Sequence, residues 1–156
     1  MDPDDLLEEL YRRPGFLIRR AHQISTSIFL QATGRLGVTA TQYGVLVLLS
    51  CRPDIDQITV ARLLGLDRST TSMVVKAMEA DGLILRKSDK QDRRRRTLAL
   101  TAEGRDLLSQ LESPAAAAAE TLLGPLGPSE QTMLLNLLIK LTRQLNDVSR
   151  VPVLSR

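Results

Sequence analysis

Residues 56–102 read DQITVARLLGLDRSTTSMVVKAMEADGLILRKSDKQDRRRRTLALTA, and this stretch decides the fold. Its patterns predict a helix, a tight turn, a second helix, a strand, a basic loop and another strand. Gly65 stands where a sharp turn needs a residue that tolerates positive φ. Asp67 follows and offers a side-chain oxygen to the free N–H groups at the start of the second helix. The sequence therefore predicts two helices joined at a sharp corner.

The second of these helices has an apolar side and a hydroxyl-rich side. Met73, Val74, Ala77 and Met78 recur at three- and four-residue spacing, so we expect them to face inward. Small hydroxyl residues in the first turn are typical of a helix that reads base edges, although Ser and Thr at a helix start also serve simply as caps. The predicted DNA-facing residues of this helix are Arg68, Ser69, Thr70, Ser72 and Lys76.

A concentrated positive charge follows this helix. Residues 86–96 carry seven basic and two acidic side chains, a net charge of +5, whereas the whole chain carries +3. A local excess of this kind is what a phosphate-binding surface needs, and a solvated loop is the alternative interpretation. Because two predicted strands flank the loop, the segment predicts the wing of a winged helix-turn-helix. The predicted DNA contacts of the wing are Lys90, Arg93, Arg94, Arg95 and Arg96.

The wing also carries a family resemblance. The segment DRRRRTLALT at residues 92–101, followed by Gly104, resembles the pattern D-x-R-x-x-x-(L/V)-x-L-T-x-x-G of the multiple antibiotic resistance regulator (MarR) family. LDRST at residues 66–70 resembles the start of that family's recognition helix, and the resemblance extends from about residue 14 to 146. It implies a homodimeric transcription factor, usually a repressor, that a small ligand often releases from double-stranded DNA. We expect Asp92 to brace the wing by pairing with an Arg.

The chain as a whole is predicted to be mainly α-helical, with about six helices and a small β-wing. Residues 1–156 form a single MarR-type chain, with a DNA-binding lobe at 39–101 and dimerisation helices at 14–34 and 102–147. Residues 1–13 are predicted as a short amphipathic turn or a mobile arm, and Pro114 predicts a kink in the helix after the wing. The last helix is apolar nearly all round and predicts a second copy of the chain as its partner. Cover by the N-terminal helix is the alternative.

A ligand site is predicted near the first long helix. Arg19, His22 and Thr26 lie three and four residues apart, and a cation beside an imidazole suits an organic carboxylate. The stretch resembles the branch of the family that answers to aromatic acids, and Tyr43 would provide a stacking wall. The alternative is that both Arg19 and Arg20 are solvated and that His22 lies at the surface or in a dimer interface.

Composition narrows the other function classes. One Cys and one His exclude an internal disulfide and a multi-cysteine or histidine-rich metal site, so no metal and no cofactor is expected. Without a catalytic pairing or a glycine-rich phosphate loop, no enzyme is expected. The chain shows no signal peptide and no apolar run of membrane-spanning length, which predicts a cytoplasmic location and no membrane partner. Two alternatives remain: a redox-sensing regulator acting through Cys51, and a winged-helix module for protein–protein assembly.

Overall fold

A computed structural model of the chain describes residues 3–88 and 95–154. This part of the chain contains seven α-helices and three β-strands. The helices are α1 (Pro3–Arg12), α2 (Pro14–Thr33), α3 (Ala40–Cys51), α4 (Gln57–Leu64), α5 (Arg68–Ala80), α6 (Ala102–Leu123) and α7 (Pro128–Gln144), and the strands are β1 (Ile55–Asp56), β2 (Ile84–Ser88) and β3 (Arg96–Leu100). The predicted mainly α-helical winged helix-turn-helix is confirmed.

The N-terminal segment and the sheet each contain one element that the sequence did not predict. Residues predicted as a turn or arm form the full helix α1, which raises the helix count from about six to seven. The strands lie in the order β1-β3-β2, all antiparallel, with Ile84 opposite Leu100 and Ile55 opposite Leu98. β1 has only two residues, which is too short for an alternating pattern to be visible.

The hydrophobic core lies in the DNA-binding lobe, where α3, α4, α5 and the sheet meet the first half of α6. Its members come from every one of these elements, so the lobe is one packed unit. The fully buried side chains include Val45, Leu46, Leu49, Val60, Val75, Met78, Ile84, Leu98 and Leu111. This shared core holds the recognition helix and the base of the wing in a fixed relation to each other.

The buried face of α5 differs from the predicted one. Thr71, Val75 and Met78 face the core, whereas Ala77 is exposed and Met73 is 67% exposed. Thr71 can be buried because its hydroxyl donates to the Asp67 carbonyl oxygen at 2.7 Å. The prediction that Met73 and Ala77 face inward was therefore wrong, because a hydrogen-bonded Thr takes the core position and turns the apolar Met outward.

α4 ends and α5 begins at the residues that the sequence predicted. Gly65 ends α4 in the left-handed region at φ 65°, and Asp67 accepts the Thr70 backbone N–H at 2.8 Å to start α5. The Thr39–Gln42 capping box is formed in both directions, at 2.9 and 3.2 Å. Pro114 lies inside α6, which continues on both sides of it.

The C-terminal segment returns from α7 to the corner between α4 and α5. The Asn146 side chain holds Val153 through two hydrogen bonds, at 2.9 and 3.0 Å. The Leu154 backbone N–H then donates to the Arg62 carbonyl oxygen at 3.0 Å. A Cβ atom at Gly65 would stand 2.9 Å from Val153 Cγ2, so glycine also makes room for this segment.

Candidate nucleic-acid interface

One exposed surface of α5 brings together most of the residues predicted to face DNA. They line a shallow depression of about 650 Å³ on the side of the helix away from the core. Its lining consists of Arg68, Ser69, Ser72, Met73 and Lys76. Four of the five were predicted, and the sequence analysis missed Met73 because an apolar residue was assigned to the core. The surface offers a guanidinium, two hydroxyls, an ammonium group and a thioether.

Thr70 is placed differently from its neighbours. It is half-buried, and its hydroxyl donates to Asp67 Oδ2 at 2.9 Å while its backbone N–H donates to Asp67 Oδ1 at 2.8 Å. These bonds hold the carboxylate of the cap and lower the pKa of Asp67 below its ordinary value of 3.8, chiefly through the backbone N–H. The cap is therefore the Asp67 carboxylate, and the Thr70 hydroxyl supports it by donating a hydrogen bond.

The base of the wing is tied to the start of α4. Asp56 accepts the Thr59 backbone N–H at 2.8 Å through one oxygen and a hydrogen bond from the Arg95 guanidinium through the other. Backbone donation from Thr59 is the main reason that the pKa of Asp56 lies below its ordinary value, and Arg95 adds to the effect. The sequence analysis missed Asp56, although an acid just before a predicted helix is a visible signal.

Several basic residues of the 86–96 segment have partners within the protein. Arg86 donates to Glu79 Oε2 at 3.0 Å and to Gln57 Oε1 at 3.1 Å, which ties β2 to α4 and α5. Lys87 lies 3.6 Å from Asp54, and Arg96 donates to Ser88 Oγ at 2.9 Å across the β-ribbon. The charge of this segment is therefore partly structural. The predicted DNA contacts Lys90, Arg93 and Arg94 and the predicted brace Asp92 lie outside the described residues.

Thr101 and Gly104, which end the wing motif, hold α6 against the segment that follows α5. Thr101 caps α6 by accepting the Gly104 N–H at 3.0 Å, and its hydroxyl donates to the Gly82 carbonyl oxygen at 2.7 Å. A Cβ atom at Gly104 would stand 2.1 Å from the Leu83 carbonyl oxygen, closer than any two such atoms can approach. The Thr and Gly of the wing pattern therefore fix α6 directly against the end of α5.

The predicted ligand residues separate into two groups. His22 and Thr26 line an open depression of about 660 Å³ on α2, together with Arg20, Gln23, Ile24, Ser27 and Ile28. Arg19 instead lies over the Phe16 ring, 5.0 Å from its centroid, and Tyr43 packs against Phe29 at 5.6 Å between centroids. The structure thus brings His22 and Thr26 together, adds Arg20 to the same lining, and places Arg19 and Tyr43 outside it.

The geometry of the lobe agrees with comparisons to known proteins. Residues 38–95 match the MarR family profile, over the lobe that holds α3, the helix-turn-helix and β2. The chain is also 32% identical over 131 residues to a putative transcriptional regulatory protein for the hcr operon of Thauera aromatica, covering 83% of this chain and 79% of that protein. The chain belongs to the MarR family.

Solved MarR-type structures extend the likeness beyond the lobe. Bordetella bronchiseptica BpsR, whose DNA binding is regulated by 6-hydroxynicotinic acid, is 29% identical with a TM-score of 0.80, over 85% of this chain and 94% of that one. The repressor CouR, solved on a 23-mer DNA duplex, is 30% identical with a TM-score of 0.80, over 86% of this chain and 95% of that one. CouR has also been solved with p-coumaroyl-CoA. This MarR-family chain is a DNA-binding transcriptional regulator.

The remaining predictions concern Cys51, membrane-spanning helices and the two alternative functions. Cys51 is exposed at the end of α3, with its Sγ 3.8 Å from Ser50 Oγ. Over residues 3–88 and 95–154, no helix has both the length and the apolar character to cross a membrane. The MarR relatives favour a DNA-binding regulator that responds to a ligand over the redox-sensing regulator and the assembly module.

Proposed function

We propose that this protein is a homodimeric repressor that binds its operator through α5 and the wing and is released by an aromatic acid or its thioester. The observation that carries the proposal is the exposed face of α5, where Arg68, Ser69, Ser72 and Lys76 stand together beside a wing rich in Arg. A helix of this kind fits the major groove, where base edges offer hydrogen-bond groups to such side chains. Lys90 and Arg93–Arg96 would contact the phosphates or the adjacent minor groove.

The dimer is proposed from the outer helices. α7 has no buried residue, and seven of its large apolar side chains are exposed, as are Leu145 and Val148 just after it. α1 and α2 expose further apolar side chains, including Leu6, Leu10, Tyr11 and Leu17. An apolar surface of this extent on one chain indicates a partner, and a second copy places two recognition helices about 34 Å apart for successive major grooves. The dimerisation segments are residues 14–34 and 102–147, extended by α1.

The ligand site is proposed on α2. One open surface holds the imidazole of His22, the hydroxyl of Thr26 and the cation of Arg20, and this combination suits a carboxylate. Arg19 lies on the neighbouring turn of α2, and Tyr43 lies on α3. The aromatic acid and the thioester in the relatives BpsR and CouR support the same ligand class here. Such a ligand releases DNA only if it binds the DNA-incompetent form more tightly.

DNA binding is tested by selecting bound sequences from a random duplex pool and measuring affinity for the selected operator across salt concentrations. We expect one preferred sequence and a steep fall of affinity with salt, because phosphate contacts release counterions. Arg94→Ala should weaken binding to all sequences and lower the salt slope by about one unit per lost phosphate contact. Binding without sequence preference or salt dependence would support the assembly module instead.

Ligand binding is tested by titration calorimetry with benzoate-, salicylate- and cinnamate-type compounds on the wild type and on His22→Ala, Arg20→Ala and Arg19→Ala. Arg35→Ala, an exposed cation in the loop after α2, serves as the control. We expect His22→Ala and Arg20→Ala to weaken binding more than Arg19→Ala, and the control to bind as the wild type does. No binding to the wild type, or binding indifferent to all three positions, would remove this site but leave the DNA-binding function intact.

The protein would act in the cytoplasm, as a regulator rather than an enzyme. Its exposed surfaces would bind DNA, a second copy of the chain and a small effector. The redox alternative rests on Cys51. Peroxide treatment of the wild type and of Cys51→Ser separates the two ideas, because redox sensing requires a loss of operator affinity in the wild type alone. Unchanged affinity in both proteins agrees with release by a ligand.

A further inference from the structure

Met73 stands out on the DNA-facing surface of α5. It is 67% exposed, although methionine is among the side chains most often buried. It lies on the side of the helix nearly opposite the buried residues Thr71, Val75 and Met78. Ser69 and Ser72 precede it and Lys76 follows it within the same depression. No segment of the described chain covers this thioether, so its environment in the working complex comes from what docks on α5.

The other side chains of this surface end in hydrogen-bonding or charged groups. Arg68 and Lys76 donate, and Ser69 and Ser72 donate or accept. These groups read the polar edges of bases in the major groove. The one apolar group that the major groove presents is the C5-methyl of thymine. Met73 is the one apolar side chain of this lining. Its side chain is flexible and unbranched, so it can adjust to the position of a methyl group.

We propose that Met73 is a specificity-determining residue that packs on the C5-methyl group of a thymine in each half-site of the operator. The inference rests on the proposed function, because it requires α5 to enter the major groove. It adds an apolar selection for thymine to the hydrogen-bonded readout by the neighbouring side chains. A cytosine at that position lacks the methyl group, and a purine presents hydrogen-bonding groups there instead.

The test replaces thymine with deoxyuridine, which lacks only the methyl group, at one position of the selected operator at a time. In the wild type, one thymine per half-site should show a penalty of about three- to fivefold in affinity. Met73→Ala should bind the unmodified operator more weakly and lose this penalty, so that thymine and deoxyuridine become equivalent. Met73→Leu, which keeps an apolar side chain of similar size, should retain part of the penalty.

Two controls keep the result interpretable. Ile58→Ala removes an aliphatic side chain that is 71% exposed on α4 but lies outside this lining and outside the proposed dimer segments, and it should keep both the wild-type affinity and the full penalty. Circular dichroism should show Met73→Ala folded as the wild type, because the side chain makes no core contact. The inference is overturned if no thymine of the operator shows a methyl penalty, or if the penalty persists unchanged in Met73→Ala. If the wild type selects no operator at all, both this inference and the proposed function fail.

Discussion

Asp56 joins Arg95 at the base of the wing to the first turn of α4, because one carboxylate serves both as a helix cap and as the partner of a wing guanidinium. The Asp56 side chain is 19% exposed, so this link lies at the edge of the core rather than in open solvent. The wing is thereby connected to the helix-turn-helix by a side-chain contact as well as by the sheet.

Removing the Asp56 side chain should destabilise the lobe. Asp56→Ala leaves the Thr59 N–H without its cap and should cost about 1 kcal/mol of unfolding free energy, within a range of about 0.5–2. Asp56→Asn keeps a capping oxygen and should cost less. Urea denaturation followed by circular dichroism measures both variants. The control is Asp54→Asn, which removes the charge of an exposed pair with Lys87 and should change little.

The same carboxylate predicts a pH dependence. Because folding lowers the pKa of Asp56 below 3.8, its charged form is favoured in the folded state. Its contribution to stability is therefore fully present above the unfolded pKa and is lost as the pH falls through the folded pKa. The difference in unfolding free energy between wild type and Asp56→Asn should be constant from pH 7 to about pH 5 and should shrink below about pH 4. A difference that grows on acidification would contradict this account.

Gly104 should not tolerate a side chain. Gly104→Ala places a methyl group 2.1 Å from the Leu83 carbonyl oxygen, so α6 must move away from the end of α5. We expect a loss of about 1–3 kcal/mol of unfolding free energy or more, together with weaker operator binding. Gly15→Ala is the matched control, because its Cβ would meet nothing within 4 Å in helix α2. That variant should be neutral or slightly more stable.

Ser69 and Thr70 are adjacent hydroxyl residues that should fail in different ways. Ser69 lines the depression that we propose faces DNA, so Ser69→Ala should change the selected operator and cost about 1–3 kcal/mol for a lost base contact. Thr70 bonds to the Asp67 cap, so Thr70→Val should lower thermal stability and leave the base preference unchanged. Sequence selection and thermal unfolding of both variants distinguish these effects. A changed operator for Thr70→Val alone would reverse the two assignments.

The dimer should depend on α7. Leu138 lies in the middle of this helix and is exposed in the single chain. Leu138→Asp would place an unpaired charge in the proposed interface at a cost of several kcal/mol, and we expect a monomer or an unfolded chain in sedimentation experiments. Asn136→Asp adds the same charge at a polar position of α7 and should remain dimeric. A folded dimer of Leu138→Asp would rule out the proposed placement of the interface.

Local chemistry was readable from the sequence alone. The Asp67 cap and the Gly65 corner depend on residues a few positions apart, and both formed where predicted. The grouping of Arg68, Ser69, Ser72 and Lys76 on one exposed surface of α5 followed from the same short-range pattern. The order of these elements was sufficient to predict the winged helix-turn-helix fold, and the wing motif at residues 92–104 carried the resemblance to the MarR family.

Tertiary structure decided the relations between distant residues. The pairing of Asp56 with Arg95 spans 39 positions and depends on how β1 docks beside β3. Arg19 and His22 are three residues apart, yet Arg19 stacks over Phe16 and donates to Gln23 Oε1 at 3.3 Å, and it is not among the residues that line the depression with His22. The exchange of Thr71 and Met73 has the same origin. Burial is set by which face of α5 meets the shared core, and a single hydrogen bond can make a hydroxyl the better core residue.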